Sequence, residues 1–149
     1  MEAVLLIGTQ ASGKSSFYRA RYFRTHVRIS LDQLRTRARE RGLLAFCTET
    51  HQPFVVDNTN PSRAERAVYI EAARSAGFRI VGYFLQSRID DCLERNAARG
   101  EEERVPEAGV RGTHGRLEMP RLDEGFDELH FVEADGCGGF RESPWEEDQ

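Results

Sequence analysis

Five apolar residues, Ala3-Val4-Leu5-Leu6-Ile7, run directly into Gly8-Thr9-Gln10-Ala11-Ser12-Gly13-Lys14-Ser15. A continuous apolar run of strand length suits a strand covered on both faces, as in a parallel sheet between helix layers. The frame that follows, G-x-x-x-x-G-K-S, is a phosphate cradle. Its glycines permit positive φ, so backbone N–H groups can turn inward around an anion. Lys14 is the one lysine among 21 Lys and Arg. A chain that otherwise uses arginine keeps a compact ammonium where a planar guanidinium fork would fit poorly. A helix is predicted over residues 16–24, with Phe17, Ala20 and Phe23 at helical spacing. Strand, loop and helix in this order predict a nucleoside triphosphate site. Gly8, Ala11, Ser12, Gly13, Lys14, Ser15 and Ser16 would surround the phosphates, and the Ser15 hydroxyl would face Mg²⁺.

The remaining apolar runs predict strands at His26–Ile29, Phe54–Val56, Arg79–Leu85 and Leu129–Val132, alternating with helices. Such alternation reads as one α/β domain with a parallel sheet of four to five strands. Ser30-Leu31-Asp32-Gln33 has capping-box form and predicts a helix to Arg41, stopped at Gly42, with a second short helix from Leu43 to Thr50. Asn60-Pro61 predicts an N-cap and first helical position, with Gly77 closing that helix. Another helix is predicted from Ser87 to Arg99. Gly109, Gly112 and Gly115 each cost a helix about 1 kcal/mol, so residues 100–120 are expected to be a mobile segment of low helical stability. Residues 135–149 read as a glycine-rich, then acidic, poorly ordered tail after a domain spanning 1–134.

Composition narrows the classes. At 149 residues there is room for one core. Charged residues make up 31% and no apolar run approaches the ~20 residues of a membrane span, so a soluble cytoplasmic protein without a membrane partner is expected. Cys47, Cys92 and Cys137 are odd in number and widely spaced, which predicts free thiols. The net charge of −4 conceals eight arginines between Arg19 and Arg41 against Asp32 and Glu40. That stretch could draw in a polyanion or be a solvated face.

Three constellations fall at the C-terminal ends of predicted strands, the edge where open α/β sheets bind ligands. Asp32 lies in a first helical turn, which favours a carboxylate, and could take a proton from an attacking hydroxyl. Arg35, one turn on, could grip an acceptor phosphate, although the two also fit a plain i,i+3 ion pair. Asp57, ending Phe54-Val55-Val56, matches the carboxylate on the Mg²⁺ side of phosphate-loop enzymes, or a simple Asx turn. Arg95 and Arg99 share a helical face and could neutralise a triphosphate, or be solvated.

Taken together, GTQASGKSS, LDQLR, VVDNTNP, LERNAARG, RVPE and LEMPRLDEGFDEL resemble the 5′-hydroxyl polynucleotide kinase family of phosphate-loop (P-loop) kinases over about residues 3–132. The resemblance implies a small parallel sheet flanked by helices, with a lid at about 95–120. It implies that Lys14 and Ser15 hold ATP and Mg²⁺, and that Asp32 is the general base for a 5′-OH end of DNA or RNA. Arg35 would bind the neighbouring phosphate, Asp57 would lie near acceptor and metal, and Arg95 and Arg99 would contact the ATP phosphates. The family's fused phosphatase or ligase partner does not fit within this chain. Small-molecule P-loop kinases share the same residues, and an ATP-binding regulatory module is a third reading.

Overall fold

The computed structural model describes residues 1–147. Six strands form one sheet in the order β2-β3-β1-β4-β5-β6. They are β1 (Glu2–Ile7), β2 (Val27–Ile29), β3 (Phe54–Val56), β4 (Arg79–Leu85), β5 (Glu128–Ala134) and β6 (Phe140–Pro144). The first five are parallel and β6 is antiparallel to β5. Every β1 residue from Ala3 to Ile7 is fully buried, because the sheet is covered on both sides. Ala3, Leu5 and Ile7 face one core, with Phe54, Ile70, Phe78 and Phe84. Val4 and Leu6 face the other, with Phe17, Tyr18, Tyr22 and Tyr83. The α/β class with a mainly parallel sheet is therefore as expected, and so are the free cysteines. Among the described residues no helix is long and apolar enough to cross a membrane.

Seven further elements connect the strands: α1 (Lys14–Arg21), α2 (Leu31–Leu34), α3 (Arg37–Thr50), α4 (Arg63–Ser75), α5 (Ile89–Ala97), α6 (Glu107–Gly115) and a 3-10 turn at Leu122–Glu124. Several differ from expectation for identifiable reasons. The buried face of the first helix is Phe17 and Tyr18, continued by Tyr22, while Ala20 and Phe23 are exposed. The single helix expected from Ser30 to Arg41 is broken at Arg35, whose φ is 73°. A new helix starts at Thr36, whose side chain accepts from Arg39 N at 3.2 Å. Gly42 does not stop it, since α3 continues to Thr50. The next cap is Ser62, accepting from Glu65 N at 3.1 Å, and not Asn60.

The segment expected to lack a stable helix contains α6. Val110 and Thr113 are buried, and Asn96 of α5 brackets Val105 just before it, donating to Val105 O at 2.6 Å and accepting from Val105 N at 3.0 Å. Tertiary contact thus outweighs the glycine penalty.

The tail is a second correction. Within it β6 pairs along the exposed edge of β5, with Phe140 packed edge-on against Phe17 at 5.3 Å and Trp145 against Phe84 at 5.2 Å. An Arg21–Glu142 ion pair lies beside them. Two aromatic anchors and a strand edge needing a partner suffice to order a glycine-rich segment. Asp148 and Gln149, also assigned to the poorly ordered tail, lie outside the described residues.

Candidate active site

The loop between β1 and α1 owes its shape to two glycines with different tasks. Gly13 has φ 102° and caps α1, a backbone region in which an L side chain is strained. Gly8 does not have positive φ, contrary to expectation. Its constraint is space, because a Cβ there would lie 2.6 Å from Ser12 Oγ and 3.2 Å from Leu85 O. The positive-φ partner of Gly13 is Ala11, at 65°. Neighbouring strand ends brace the loop: Gly8 N donates to Thr59 O at 3.0 Å, and Thr9 N donates to Ser87 Oγ at 3.0 Å. The loop closes over its own cation, since Lys14 Nζ donates to Gly8 O at 3.0 Å and Thr9 O at 2.9 Å. Burial lowers the pKa of Lys14 to about 8, with the Asp57 carboxylate pulling the other way. A buried ammonium this lightly held gains most from an arriving anion.

Beside the loop opens a cleft of about 1430 Å³. Its walls bring together Ala11, Gly13, Lys14, Ser15, Ser16, Asp32, Arg35, Asp57 and Arg99. Asp32 and Arg99 are close enough to act on the charge of Lys14. Gly8 lies beneath, as the acceptor of Lys14, and Ser12 Oγ is buried without a hydrogen-bond partner. Arg95 does not line the cleft. Its Nη1 instead donates to Ala11 O at 3.1 Å, tying α5 to the loop. A second tie comes from Gln10 Nε2, which donates to Thr113 Oγ1 of α6 at 2.9 Å. Of the arginines within residues 100–120, Arg104 reaches the cleft, whereas Arg111 pairs with Glu107 and Arg116 with Glu65.

Asp32 and Arg35 are exposed at the cleft, and among the described residues neither side chain is tied up by a hydrogen bond or ion pair. The i,i+3 pair that the spacing allowed is not formed. Since α2 is a single turn, the dipole expected to favour the carboxylate is that of one turn only. The backbone at Arg35 is strained, as it is at Ala11 and Asn60, and all three residues line the cleft. Such strain persists where surrounding structure over-determines it, and it clusters at functional sites.

What over-determines α2 is a polar network that sequence inspection missed. Ser30 makes no side-chain cap; instead Asn58 Oδ1 accepts from Leu31 N at 2.9 Å. Asn58 Nδ2 donates to Glu40 Oε2 at 2.8 Å, and Tyr69 OH and Arg37 Nη1 donate to Glu40 Oε1 at 2.9 and 2.8 Å. Glu40 is only 4% exposed, so a buried carboxylate from α3 is satisfied by α4 and by the loop after β3. Arg66 was missed too. Fully buried, it grips Glu124 through Nε at 2.8 Å and Nη2 at 3.1 Å and donates to the carbonyls of Asn60 and Glu118. Nothing local marks Asn58, Tyr69 or Arg66: apart from Arg37, three positions from Glu40, these side-chain partners are 5 to 58 positions away.

Ser15 Oγ donates to Asp57 Oδ2 at 3.0 Å. Arg28 of β2 joins them, with Nε 2.8 Å from Asp57 Oδ2 and Nη2 3.1 Å from Ser15 Oγ. One hydroxyl and one carboxylate, both hard oxygens beside a phosphate cradle, fit Mg²⁺, which takes one or two carboxylates and completes its shell with phosphate and water. No cluster of three or more His, Cys, Asp or Glu competes as a metal site among the described residues.

The chain is similar to known proteins in both sequence and shape. A bifunctional polynucleotide phosphatase/kinase of Schizosaccharomyces pombe is 27% identical over 135 residues, covering 88% of this chain and 33% of that protein. The chain thus spans about a third of the length of the curated relative it matches. Chaetomium thermophilum Kti12, solved with ADP-AlF3, superposes with a TM-score of 0.64 at 16% identity, covering 89% of each chain. Mycobacterium tuberculosis APS kinase CysC, solved with AMPPNP and APS, gives a TM-score of 0.58 at 17% identity, covering 90% of this chain and 88% of that one. These structures establish a P-loop kinase-like fold. The AAA domain family (AAA_33) matches residues 41–120, more than half the sequence, and the chain belongs to that family.

Proposed function

We propose that the protein is an ATP-dependent phosphotransferase acting on 5′-hydroxyl ends of DNA or RNA. The observation that carries this reading is that one cleft is lined by both Lys14 and Asp32, with Asp32 near enough to act on the Lys14 charge. The 27% identity to a polynucleotide phosphatase/kinase supports the choice of acceptor. So does the lining of the cleft, where Arg19, Arg35, Arg37 and Arg41 accompany the exposed ring of Phe23. Arginines suit phosphates and an exposed aromatic suits a base.

In this reading the nucleotide phosphates lie on the loop, against the N–H groups opening α1 and the Lys14 ammonium. Arg99 adds positive charge from the lid side, and Arg95 holds the loop. Ser15 and Asp57 would hold Mg²⁺, which when bound would neutralise phosphate charge. Asp32 accepts the proton of the acceptor hydroxyl as its oxygen bonds to the γ-phosphorus. The bond from that phosphorus to the β–γ bridging oxygen breaks, and ADP leaves with the electron pair. Arg35 holds the phosphate adjoining the acceptor.

A second reading, a kinase of small-molecule hydroxyls, has its own support. Glu65, Glu102 and Glu103 also line the cleft and would repel an extended polyanion, and the fold is shared with APS kinase. Incubation with γ-labelled ATP beside 5′-OH oligonucleotides, sugars and nucleosides tests the choice. Label on oligonucleotide ends is expected, and label confined to a small molecule overturns the nucleic-acid reading.

A further inference from the structure

Arg28 has no task in the scheme above, yet it lines the cleft and contacts both oxygens proposed for the metal. It is the middle residue of β2, in register with Val55 of β3, which puts it on the same face as Asp57, two residues along and just past the end of β3. Its guanidinium forks across the two oxygens suited to a divalent cation, at 2.8 Å from Asp57 Oδ2 and 3.1 Å from Ser15 Oγ. The Asp57 side chain is 2% exposed. An ionised carboxylate buried that deeply needs a compensating charge, and Arg28 is the salt-bridge partner that supplies it. A hard cation seated between the same oxygens needs the lone pairs that Arg28 engages, and it would also meet a fixed positive charge at contact distance.

We propose that Arg28 is a built-in competitor for the divalent cation, holding the Ser15–Asp57 pair shut and setting the metal concentration at which the nucleotide is engaged. This rests on the nucleotide reading above. Two consequences of opposite sign follow. With Arg28 in place, Asp57 is neutralised and repels a metal-free triphosphate less. Without it, metal-free nucleotide binds more weakly, but metal enters more readily. A purely structural role would weaken both.

The test is equilibrium binding of a fluorescent ATP analogue to the full chain, titrated with Mg²⁺ and repeated in EDTA, for the unaltered protein and R28Q. Mg²⁺ at half-saturation is expected to fall about tenfold in R28Q, as loss of a charge-assisted contact implies, while affinity in EDTA declines. Half-saturation unchanged or raised in R28Q overturns the proposal. Should R28Q fail to fold, R28K retains the charge without the fork; a smaller fall supports the proposal and no fall overturns it. Absence of nucleotide binding to the unaltered protein at every Mg²⁺ concentration would remove the nucleotide reading itself, and the inference with it.

Discussion

On the Lys14 side of the cleft, eight consecutive residues from Gly8 to Ser15 supply the cradle, and its cation is capped by carbonyls five and six positions away. On the Asp32 side nothing is contiguous. A one-turn helix is held at its start by Asn58, through a buried carboxylate on α3 and a hydroxyl on α4. The first wall is a local structure that the fold braces, whereas the second exists only once four separate segments have packed. The difference teaches where each wall should be fragile. Damage to the cradle should be chemical and immediate, and damage to the Asp32 wall can be inflicted from a distance.

The largest combined effect should come from Lys14→Ala. Removing a preorganised charge from the transferring phosphate should lower transfer by roughly 10²–10³-fold, and nucleotide affinity should fall with it in a fluorescence titration. Retained affinity would mean that the cradle does not bind through Lys14. Asp32→Ala sharpens the contrast: turnover should drop by roughly 10²–10⁴, while nucleotide affinity stays within about twofold. If both variants lose affinity equally, the two walls are not functionally separate.

Tyr69→Phe attacks the Asp32 wall remotely. It deletes one donor to buried Glu40 and should cost about 1–3 kcal/mol of stability in urea unfolding. It should also raise the acceptor KM while leaving nucleotide affinity alone. An unchanged acceptor KM would show that the network steadies the core without positioning α2.

The smallest effect is one of pH. Burial lowers Lys14 to about 8, so its ammonium is largely intact at pH 7 and is lost as pH rises through that value. Nucleotide affinity should be flat from about pH 6.5 to 7.5 and then fall by up to tenfold per unit above pH 8. The same pKa runs the other way for folding. Between about 8 and the ordinary lysine value of 10.5 the unfolded chain carries the extra proton, so Lys14 contributes a rise in stability with pH across that window. Affinity that stays level to pH 9.5 would contradict the lowered value.

The parallel sheet and the phosphate cradle were legible from residues 3–15 alone, because a doubly covered strand must be apolar throughout and a cradle must have glycine and lysine at set positions. Strand positions elsewhere followed from the same rule. Asp32 and Arg35 were identifiable as candidates, but Arg28, Glu40, Tyr69 and Arg66 were not. A buried charge leaves no mark in sequence when its partner lies tens of residues away. Helix boundaries failed where local signals were weak beside packing: the penalty at Gly42 is outweighed by the burial of Glu40, Leu44 and Cys47 on α3, while Arg35 is forced out of helical geometry. Helix α6 and strand β6 were missed for the same reason, since glycine content reports a local penalty and not the packing of Val110, Phe140 or Trp145.

By itself the sequence determined the class of fold and the kind of anion its first loop can hold, because both depend on contiguous residues obeying backbone sterics. Only the tertiary structure decided which charges meet across the cleft, which arginine sits on the Ser15–Asp57 pair, and that the tail closes the sheet. Those outcomes depend on burial, and burial is a property of the assembled chain.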